Sequence, residues 1–339
     1  MMKRLTESLP GTTEFGVLLL DKPAGLTSHD LVAQARRQLR QRRVGHAGTL
    51  DPAATGLMLL GVGRATRLLT WLVGADKTYL ATMRFGCSTT TDDAQGEPRQ
   101  WGRTDHLTEA DITAAFSRFR GPIRQVPSTI SAVKVDGVRA YKRARAGDEV
   151  DLAERAVTIY ENEITGLARG DSTPGDYIDV HCRVRVSSGT YVRALARDIG
   201  SELGCGGHLR TLRRTQIGPF CVTEAQQLSP LQRPTESSPG HATPTDGPGQ
   251  LARQLLAPSE VAQRALPTVI VSAPEAAFVC SGRRITADAD HDATALLDAQ
   301  GQLLAIATAQ DGLWRYKVVF CAGERSRIAP TTAMELEPE

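Results

Sequence analysis

Several features that often identify a protein class are missing from this 339-residue sequence. It contains no run of roughly 18 apolar residues, the length a membrane-spanning helix needs. Its first residues also lack the apolar core of a secretory signal. We therefore expect a cytoplasmic protein that makes no membrane contact.

The sequence also lacks the marks of metal, disulfide and cofactor proteins. Its six cysteines form no Cys-x-x-Cys pair, which favours buried thiols in a reducing compartment over a disulfide framework or a zinc site. Gly61-x-Gly63 has no third glycine, so it is not a dinucleotide-binding loop, and the serine and histidine positions offer no hydrolase motif. We expect no metal and no cofactor. The cysteines are Cys87, Cys182, Cys205, Cys221, Cys280 and Cys321.

Positive charge is present, and it is unevenly distributed. Residues 1–230 contain 31 Lys and Arg against 25 Asp and Glu, whereas residues 231–339 contain 9 against 13. Residues 31–50 hold five arginines and no acidic residue. Such a patch beside a reactive group suggests a polyanionic substrate, although a solvated helix face has the same composition. The candidate phosphate-binding residues are Arg36, Arg37, Arg40, Arg43 and Arg64.

A glycine-rich stretch follows the basic patch: residues 45–56 read GHAGTLDPAATG. Its glycines let a ligand approach the backbone closely, and Pro52 keeps Asp51 out of the helical region. Asp51 is therefore presented by a stiff loop, as a nucleophile or general base would be. The alternative is that Asp51-Pro52 simply begins a turn.

This stretch resembles the catalytic motif of the TruB family of tRNA pseudouridine synthases, Gly-x-x-Gly-(Thr/Ala)-Leu-Asp-Pro-x-Ala-x-Gly. The resemblance is strong over roughly residues 15–225 and implies an α/β (α+β) fold, with a mixed, largely antiparallel sheet and flanking helices. The other matching blocks are Lys22-Pro23-x-Gly25-x-Thr27-Ser28, Lys77-Thr78-Tyr79, Gly189-Thr190-Tyr191-Val192-Arg193 and Leu212-Arg213-Arg214.

The resemblance implies three catalytic residues. Asp51 would react with the substrate, either by adding to the sugar or base or by removing a sugar proton. Arg193 would pair with Asp51 and favour its ionised form. Tyr79 would stack on the target base and take part in proton transfer, although a tyrosine in a strand more often belongs to the core.

The resemblance also implies substrate-binding residues. His46 would enter the space left by the flipped base, although a loop histidine by itself is more often a surface residue. Tyr191 would form a pocket wall, and Leu212 would line the uracil pocket. Lys22 would support the site.

The reaction implied by the resemblance is isomerisation of uridine 55 in the T loop of tRNA, by a monomer that needs no cofactor. The buried target nucleotide must flip out, at a cost that stacking and phosphate contacts offset. Three alternatives remain: an RNA-binding protein with a vestigial site, the same chemistry on another RNA, and an Asp-dependent hydrolase of small nucleosides.

Composition and local patterns divide the chain into three parts. Residues 1–230 form the catalytic domain, and residues 231–258, rich in Pro, Ser and Gly, form a disordered linker or insertion. Residues 259–339 contain short strands and resemble a small β-rich, PUA-like domain whose acidic composition leaves RNA contact open. Within the first part, Ser28 is the expected N-cap of a helix, and residues 177–186 alternate as a half-buried strand.

Overall fold

The computed structural model describes residues 15–128, 134–135, 138–139, 152–172, 175–228, 251–287 and 292–321. The strands in these residues are β1 (Gly16–Lys22), β2 (Val44–His46), β3 (Thr55–Val62), β4 (Lys77–Phe85), β5 (Cys87–Thr89), β6 (Pro98–Trp101), β7 (Gly121–Gln125), β8 (Lys134–Val135), β9 (Val138–Arg139), β10 (Arg155–Ser172), β11 (Gly175–Val186), β12 (Gly207–Ile217), β13 (Phe220–Cys221), β14 (Thr268–Ile270), β15 (Thr294–Leu297), β16 (Leu303–Gln310) and β17 (Leu313–Val319). The α-helices are α1 (Ser28–Gln38), α2 (Leu69–Val73), α3 (Glu109–Arg118), α4 (Val192–Glu202), α5 (Pro258–Ala265) and α6 (Ala273–Cys280), and 3-10 helices span Gly63–Leu68 and Val222–Glu224.

The large sheet has the order β1-β3-β12-β4-β11-β10-β7, with β2 beside β3 and β13 beside β12. Every pairing is antiparallel except the short parallel contact of β3 with β12. The predicted mixed, largely antiparallel sheet is therefore confirmed. The parallel contact matters for function, because β3 leaves the glycine-rich stretch and β12 carries the Leu-Arg-Arg block.

The alternating pattern of residues 177–186 forms β11, as predicted. Ile178, Val180, Cys182, Val184 and Val186 are all buried. They share one apolar core with residues of α1, α3 and α4, so these helices cover this face of the sheet. Successive strand side chains point to opposite faces, which leaves the charged residues of β11 on the other side.

Helix α1 begins at Ser28, so Ser28 is its first residue and not its cap. Thr27 is the N-cap, and it forms a reciprocal capping box with Asp30. The prediction that Ser28 caps this helix is therefore wrong. The buried Ser28 hydroxyl instead accepts a hydrogen bond from Leu50 N at 2.9 Å and donates to Leu50 O at 3.1 Å.

The C-terminal part contains a separate four-stranded sheet, β14-β15-β16-β17, with α5 and α6 beside it. This confirms the β-rich character expected of residues 259–339. Its apolar residues continue a core cluster that includes Val17 and Leu59 of the large sheet. The two sheets therefore pack against each other through a shared apolar core.

One prediction about the cysteines is wrong in the C-terminal part. Cys280 and Cys321 form a disulfide, with their Cα atoms 5.5 Å apart. Cys87, Cys182 and Cys205 are buried free thiols, as expected. Sequence spacing did not reveal the bonded pair because 41 positions separate the two residues.

The predicted linker is described only from residue 251 onward. In this part the expected disorder is not found: Val17 N donates to Leu256 O at 3.0 Å, and Leu256 N donates to Val17 O at 2.9 Å. Leu251 is buried in the main core. Residues 231–250 lie outside the described residues, and the division into three parts stays a prediction.

Among the helices that the structure describes, none combines the length and the apolar character needed to cross a membrane.

Candidate active site

Asp51 lies in the loop between β2 and β3, and this loop is anchored on both sides of the carboxylate. Before it, Leu50 is held by Ser28. After it, Pro52 O accepts hydrogen bonds from Gly25 N at 2.8 Å and from Lys22 Nζ at 3.1 Å. Asp51 therefore has a fixed backbone, which a reacting group requires.

Lys22 is fully buried and acts as a structural cation under this loop. Its ammonium group also donates to Pro23 O at 2.9 Å and to Leu26 O at 2.7 Å. Burial lowers the pKa of Lys22, and the nearby Asp51 carboxylate opposes that shift. The supporting role that the resemblance implied for Lys22 agrees with these contacts.

Arg214 supports the same loop from β12, and the sequence analysis assigned it no role. Its guanidinium is buried and donates to Leu57 O at 2.7 Å and to Gly48 O at 3.2 Å. Gly56 lies directly against the Arg214 backbone: it has a φ of +107°, and a Cβ added there would be 2.2 Å from Arg214 O. A glycine is therefore required where β3 meets β12.

The Asp51 carboxylate is held by Arg193 in a two-pronged ion pair. Arg193 Nε is 2.9 Å from Asp51 Oδ2, and Arg193 Nη2 donates to Asp51 Oδ1 at 3.3 Å. The Arg193 side chain is 6% exposed and that of Asp51 is 42% exposed. The arginine is thus a buried clamp, and the carboxylate remains open to a substrate.

A pocket opens at the exposed side of this ion pair. Leu212 lines it, as the resemblance implied, together with other apolar groups that suit a flat base. Its charged lining residues are Asp51, Asp93, Arg193 and Arg210, and Gln95 and Thr211 are its uncharged polar ones. The full lining is Asp51, Ala53, Ala54, Asp93, Ala94, Gln95, Arg193, Leu209, Arg210, Thr211 and Leu212.

Tyr79 is buried, and His46 is half-buried. Tyr79 is buried in the main core, and its side chain opposes the lowering of the pKa of Arg214 that burial causes. His46 ends β2, and its ring meets the edge of the His29 ring with the centroids 5.9 Å apart. Burial, followed by the charges of His29 and Arg214, lowers the pKa of His46 to about 4.

Tyr191 is the N-cap residue of α4, the helix that carries Arg193. The Gln125 side chain holds its backbone, accepting from Tyr191 N at 2.9 Å and donating to Tyr191 O at 3.1 Å. The Tyr191 ring lies 5.8 Å from the Arg155 guanidinium and is not among the residues found lining the pocket. Its role as a pocket wall stays a prediction.

The candidate phosphate-binding arginines differ in what they contact. Arg36 donates to Val44 O at 2.8 Å and so supports β2, and Arg43 donates to Thr66 Oγ1 at 2.8 Å. Arg37 and Arg40 are exposed.

Arg64 is different, because it links the 3-10 helix after β3 to the residues that follow β17, by donating to Phe320 O at 3.0 Å and Cys321 O at 3.1 Å. Its guanidinium is already used at the domain contact, which makes it the weakest of the phosphate-binding candidates.

No group of three or more His, Cys, Asp or Glu side chains that could hold a metal ion occurs in the described part of the chain. The pocket combines the side chains of Asp51, Asp93, Arg193 and Arg210 with apolar walls. Such a site can perform nucleophilic or proton-transfer chemistry on a flat uncharged base.

Two family descriptions match the chain. Residues 36–192 match "TruB family pseudouridylate synthase (N terminal domain)", and residues 193–262 match "tRNA pseudouridylate synthase B C-terminal domain". Both matched regions contribute to the pocket, the first through Asp51 and the second through Arg193.

Curated relatives cover most of the chain. A Thermobifida fusca (strain YX) protein named "tRNA pseudouridine synthase B" is 47% identical over 305 residues, which span 90% of this chain and 98% of that protein. A protein of the same name from Paenarthrobacter aurescens (strain TC1) is 45% identical, over 80% of this chain and 81% of that protein.

A solved structure shares the fold. The protein in "Crystal Structure of a Cbf5-Nop10-Gar1 Complex" superposes with a TM-score of 0.67 at 24% identity, covering 94% of this chain and 92% of that one. At this identity the likeness concerns the fold alone.

Proposed function

The chain belongs to the TruB family of pseudouridine synthases, and from that premise we propose that it converts uridine 55, in the T loop of tRNA, to pseudouridine. The chain is a tRNA pseudouridine synthase, which is an isomerase. The target position and the residue that reacts are the proposed parts. The observation that carries them is the half-exposed Asp51 carboxylate, clamped by the buried Arg193 at the base of a pocket.

The reaction is an isomerisation that needs no redox step and no external group donor. The C1′–N1 bond of the uridine breaks, the base turns, and a C1′–C5 bond forms while the C5 hydrogen leaves and N1 gains a proton. Asp51 serves this sequence either by adding to the sugar or base or by removing a sugar proton, and both routes use the same carboxylate. Arg193 orients that carboxylate and balances its charge.

The flipped uracil would lie against the apolar part of the pocket, where Leu212 and Ala54 provide flat contacts. His46 is neutral at pH 7 because its pKa is about 4, so it would fill the vacated space as an uncharged ring. The exposed arginines of residues 36–43 would hold the phosphates of the T stem. We further propose that the enzyme is a monomer and acts in the cytoplasm.

The direct test is tritium release from 5-tritiated uridine in an unmodified tRNA transcript, because isomerisation must expel the C5 hydrogen. We expect release by the wild type and none by Asp51→Asn, which keeps the shape of the side chain and removes the reacting charge. Binding of tRNA by Asp51→Asn should remain close to that of the wild type.

The position is tested with a matched transcript that carries cytidine in place of uridine 55. If tritium is released from the uridine-55 transcript and not from the cytidine-55 transcript, position 55 is supported. Equal tritium release from both transcripts would show another target. Normal turnover by Asp51→Asn would contradict the assignment of Asp51. Absence of release by the wild type, with tRNA still bound, would favour a binding protein with a vestigial site.

A further inference from the structure

Arg197 lies one helical turn after the clamp residue Arg193, on the same face of α4. Its guanidinium group makes three contacts. Arg197 Nη1 is 3.0 Å from Asp92 Oδ2, Nε is 2.8 Å from Asp198 Oδ1, and Nη2 donates to Val126 O at 2.8 Å. Arg197 therefore connects α4 to the loop that carries Asp92 and to the residue that follows β7.

Asp92 has an unusual backbone. Its φ is +59°, a left-handed conformation that Asn and Asp tolerate better than other residues with side chains. The loop around it is joined to β12, since Leu209 N donates to Asp92 O at 2.9 Å and Ala94 N donates to Leu209 O at 3.0 Å. The ion pair with Arg197 holds the Asp92 side chain at this turn.

The residues on either side of Asp92 contact Arg193. Thr91 O accepts a hydrogen bond from Arg193 Nη1 at 3.1 Å, and Asp93 Oδ2 lies 3.7 Å from the same nitrogen. The other two nitrogens of this guanidinium face Asp51. The plane of the guanidinium is therefore set by Asp51 on one side and by residues 91–93 on the other.

Resting on the proposed function, we propose that Arg197 and Asp92 form a positioning pair for the reaction. Neither side chain of the pair lines the pocket or contacts Asp51, although the Asp92 backbone is joined to Leu209 of the lining. It holds the turn at residues 91–93 in place, that turn fixes the direction of the Arg193 guanidinium, and the guanidinium aims the Asp51 carboxylate at the substrate. A small displacement of the turn would therefore misdirect the reacting group.

The test uses substitutions that remove the charge of each side chain and keep it polar. Asp92→Asn retains the tolerance for a positive φ, and Arg197→Gln retains part of the side-chain length. We expect each to lower the single-turnover rate of tritium release by about ten- to a hundred-fold, the effect of misplacing a reacting group by about 1 Å. The tRNA Kd should change little, because neither side chain faces the pocket.

Two further variants separate positioning from general stability. Because the two residues act as a unit, the Asp92→Asn/Arg197→Gln double variant should be no slower than the slower single variant. Arg197→Lys, which keeps a cation beside Asp92, should recover part of the rate.

Arg264→Gln is the matched control. Arg264 is 26% exposed, against 29% for Arg197, and it likewise holds a carboxylate, Glu224, and a backbone carbonyl, Pro219 O. Arg264→Gln should lower the thermal midpoint and leave the single-turnover rate unchanged. The proposal would be overturned if the rate loss of the double variant equalled the product of the two single losses. It would also be overturned if Arg264→Gln lost as much rate as Arg197→Gln.

The two proposals fail in different ways. If the wild type releases no tritium, the proposed function fails. If the wild type releases tritium and Arg197→Gln does so at the same rate, the positioning pair alone is wrong.

Discussion

At the scale of single residues, two neighbouring arginines of β12 have opposite environments. Arg213 pairs with Asp21 at 2.7 Å near the surface, whereas Arg214 is buried beneath the Asp51 loop. Successive side chains of a strand point to opposite faces, so only one of the two could remain outside. Burial lowers the pKa of Arg214. This arginine is retained in the core because it satisfies the carbonyls of Gly48 and Leu57.

His46 is the residue whose ionisation should appear in the stability of the protein. Its pKa is about 4 in the folded chain, below the ordinary 6.5, because burial opposes the charged ring. The unfolded chain therefore binds this proton first as the pH falls. The contribution of neutral, buried His46 to the free energy of unfolding is therefore complete above pH 6.5. It is lost progressively between about pH 6.5 and pH 4.

We expect His46→Gln to remove this part of the pH dependence. Between pH 7 and pH 4, the wild type should lose up to about 3 kcal/mol more of its unfolding free energy than the variant. Urea titrations at several pH values measure the difference, and the other titrating groups cancel because both proteins contain them. Parallel stability curves for the two proteins would show that His46 ionises as readily when folded as when unfolded.

At the scale of elements, the disulfide fixes the end of the C-terminal sheet. It joins Cys280, at the end of α6, to Cys321, which follows β17. The carbonyls of Phe320 and Cys321 accept hydrogen bonds from Arg64, in the 3-10 helix that follows β3. The bond therefore stabilises both the small sheet and the strand end that contacts the catalytic domain.

Cys280→Ser should lower the free energy of unfolding by about 2–4 kcal/mol, since it releases a closed loop of the unfolded chain. Cys280 is exposed, so a reductant should have the same effect on the wild type and no effect on the variant. Cys221→Ser is the control, because Cys221 is a partly exposed free thiol. Equal stability of the wild type with and without reductant would show that this bond does not stabilise the fold.

At the scale of the whole molecule, charge should govern the encounter with RNA. The exposed arginines Arg37, in the last turn of α1, and Arg42, between α1 and β2, precede the Asp51 loop in a segment without acidic residues. Phosphate contacts release counterions, so binding weakens as salt rises. Each lost contact reduces the slope of log Kd against log salt.

Arg37→Gln and Arg42→Gln should each weaken tRNA binding and reduce that slope by about 1. Arg103→Gln serves as the control, because Arg103 is exposed but pairs with Asp105 at the surface. Filter binding or fluorescence titration at four salt concentrations gives the slopes. Unchanged slopes for Arg37→Gln and Arg42→Gln would remove both residues from the RNA interface.

The sequence by itself determined the features that depend on local order along the chain. Alternation predicted β11, and the glycine-rich stretch identified the loop of Asp51. These features are readable because their causes, side-chain periodicity and backbone restriction, act over a few neighbouring residues.

Only the tertiary structure decided which distant residues meet. The pairing of Arg193 with Asp51, across 142 positions, was implied only by the family resemblance and is present in the structure. The structure also joined Cys280 to Cys321 and turned Ser28 from an expected helix cap into a support for Leu50. It also buried Arg214 while leaving Arg213 near the surface. Such contacts arise from strand order and sheet packing, which bring together residues whose separation along the chain contains no periodic signal.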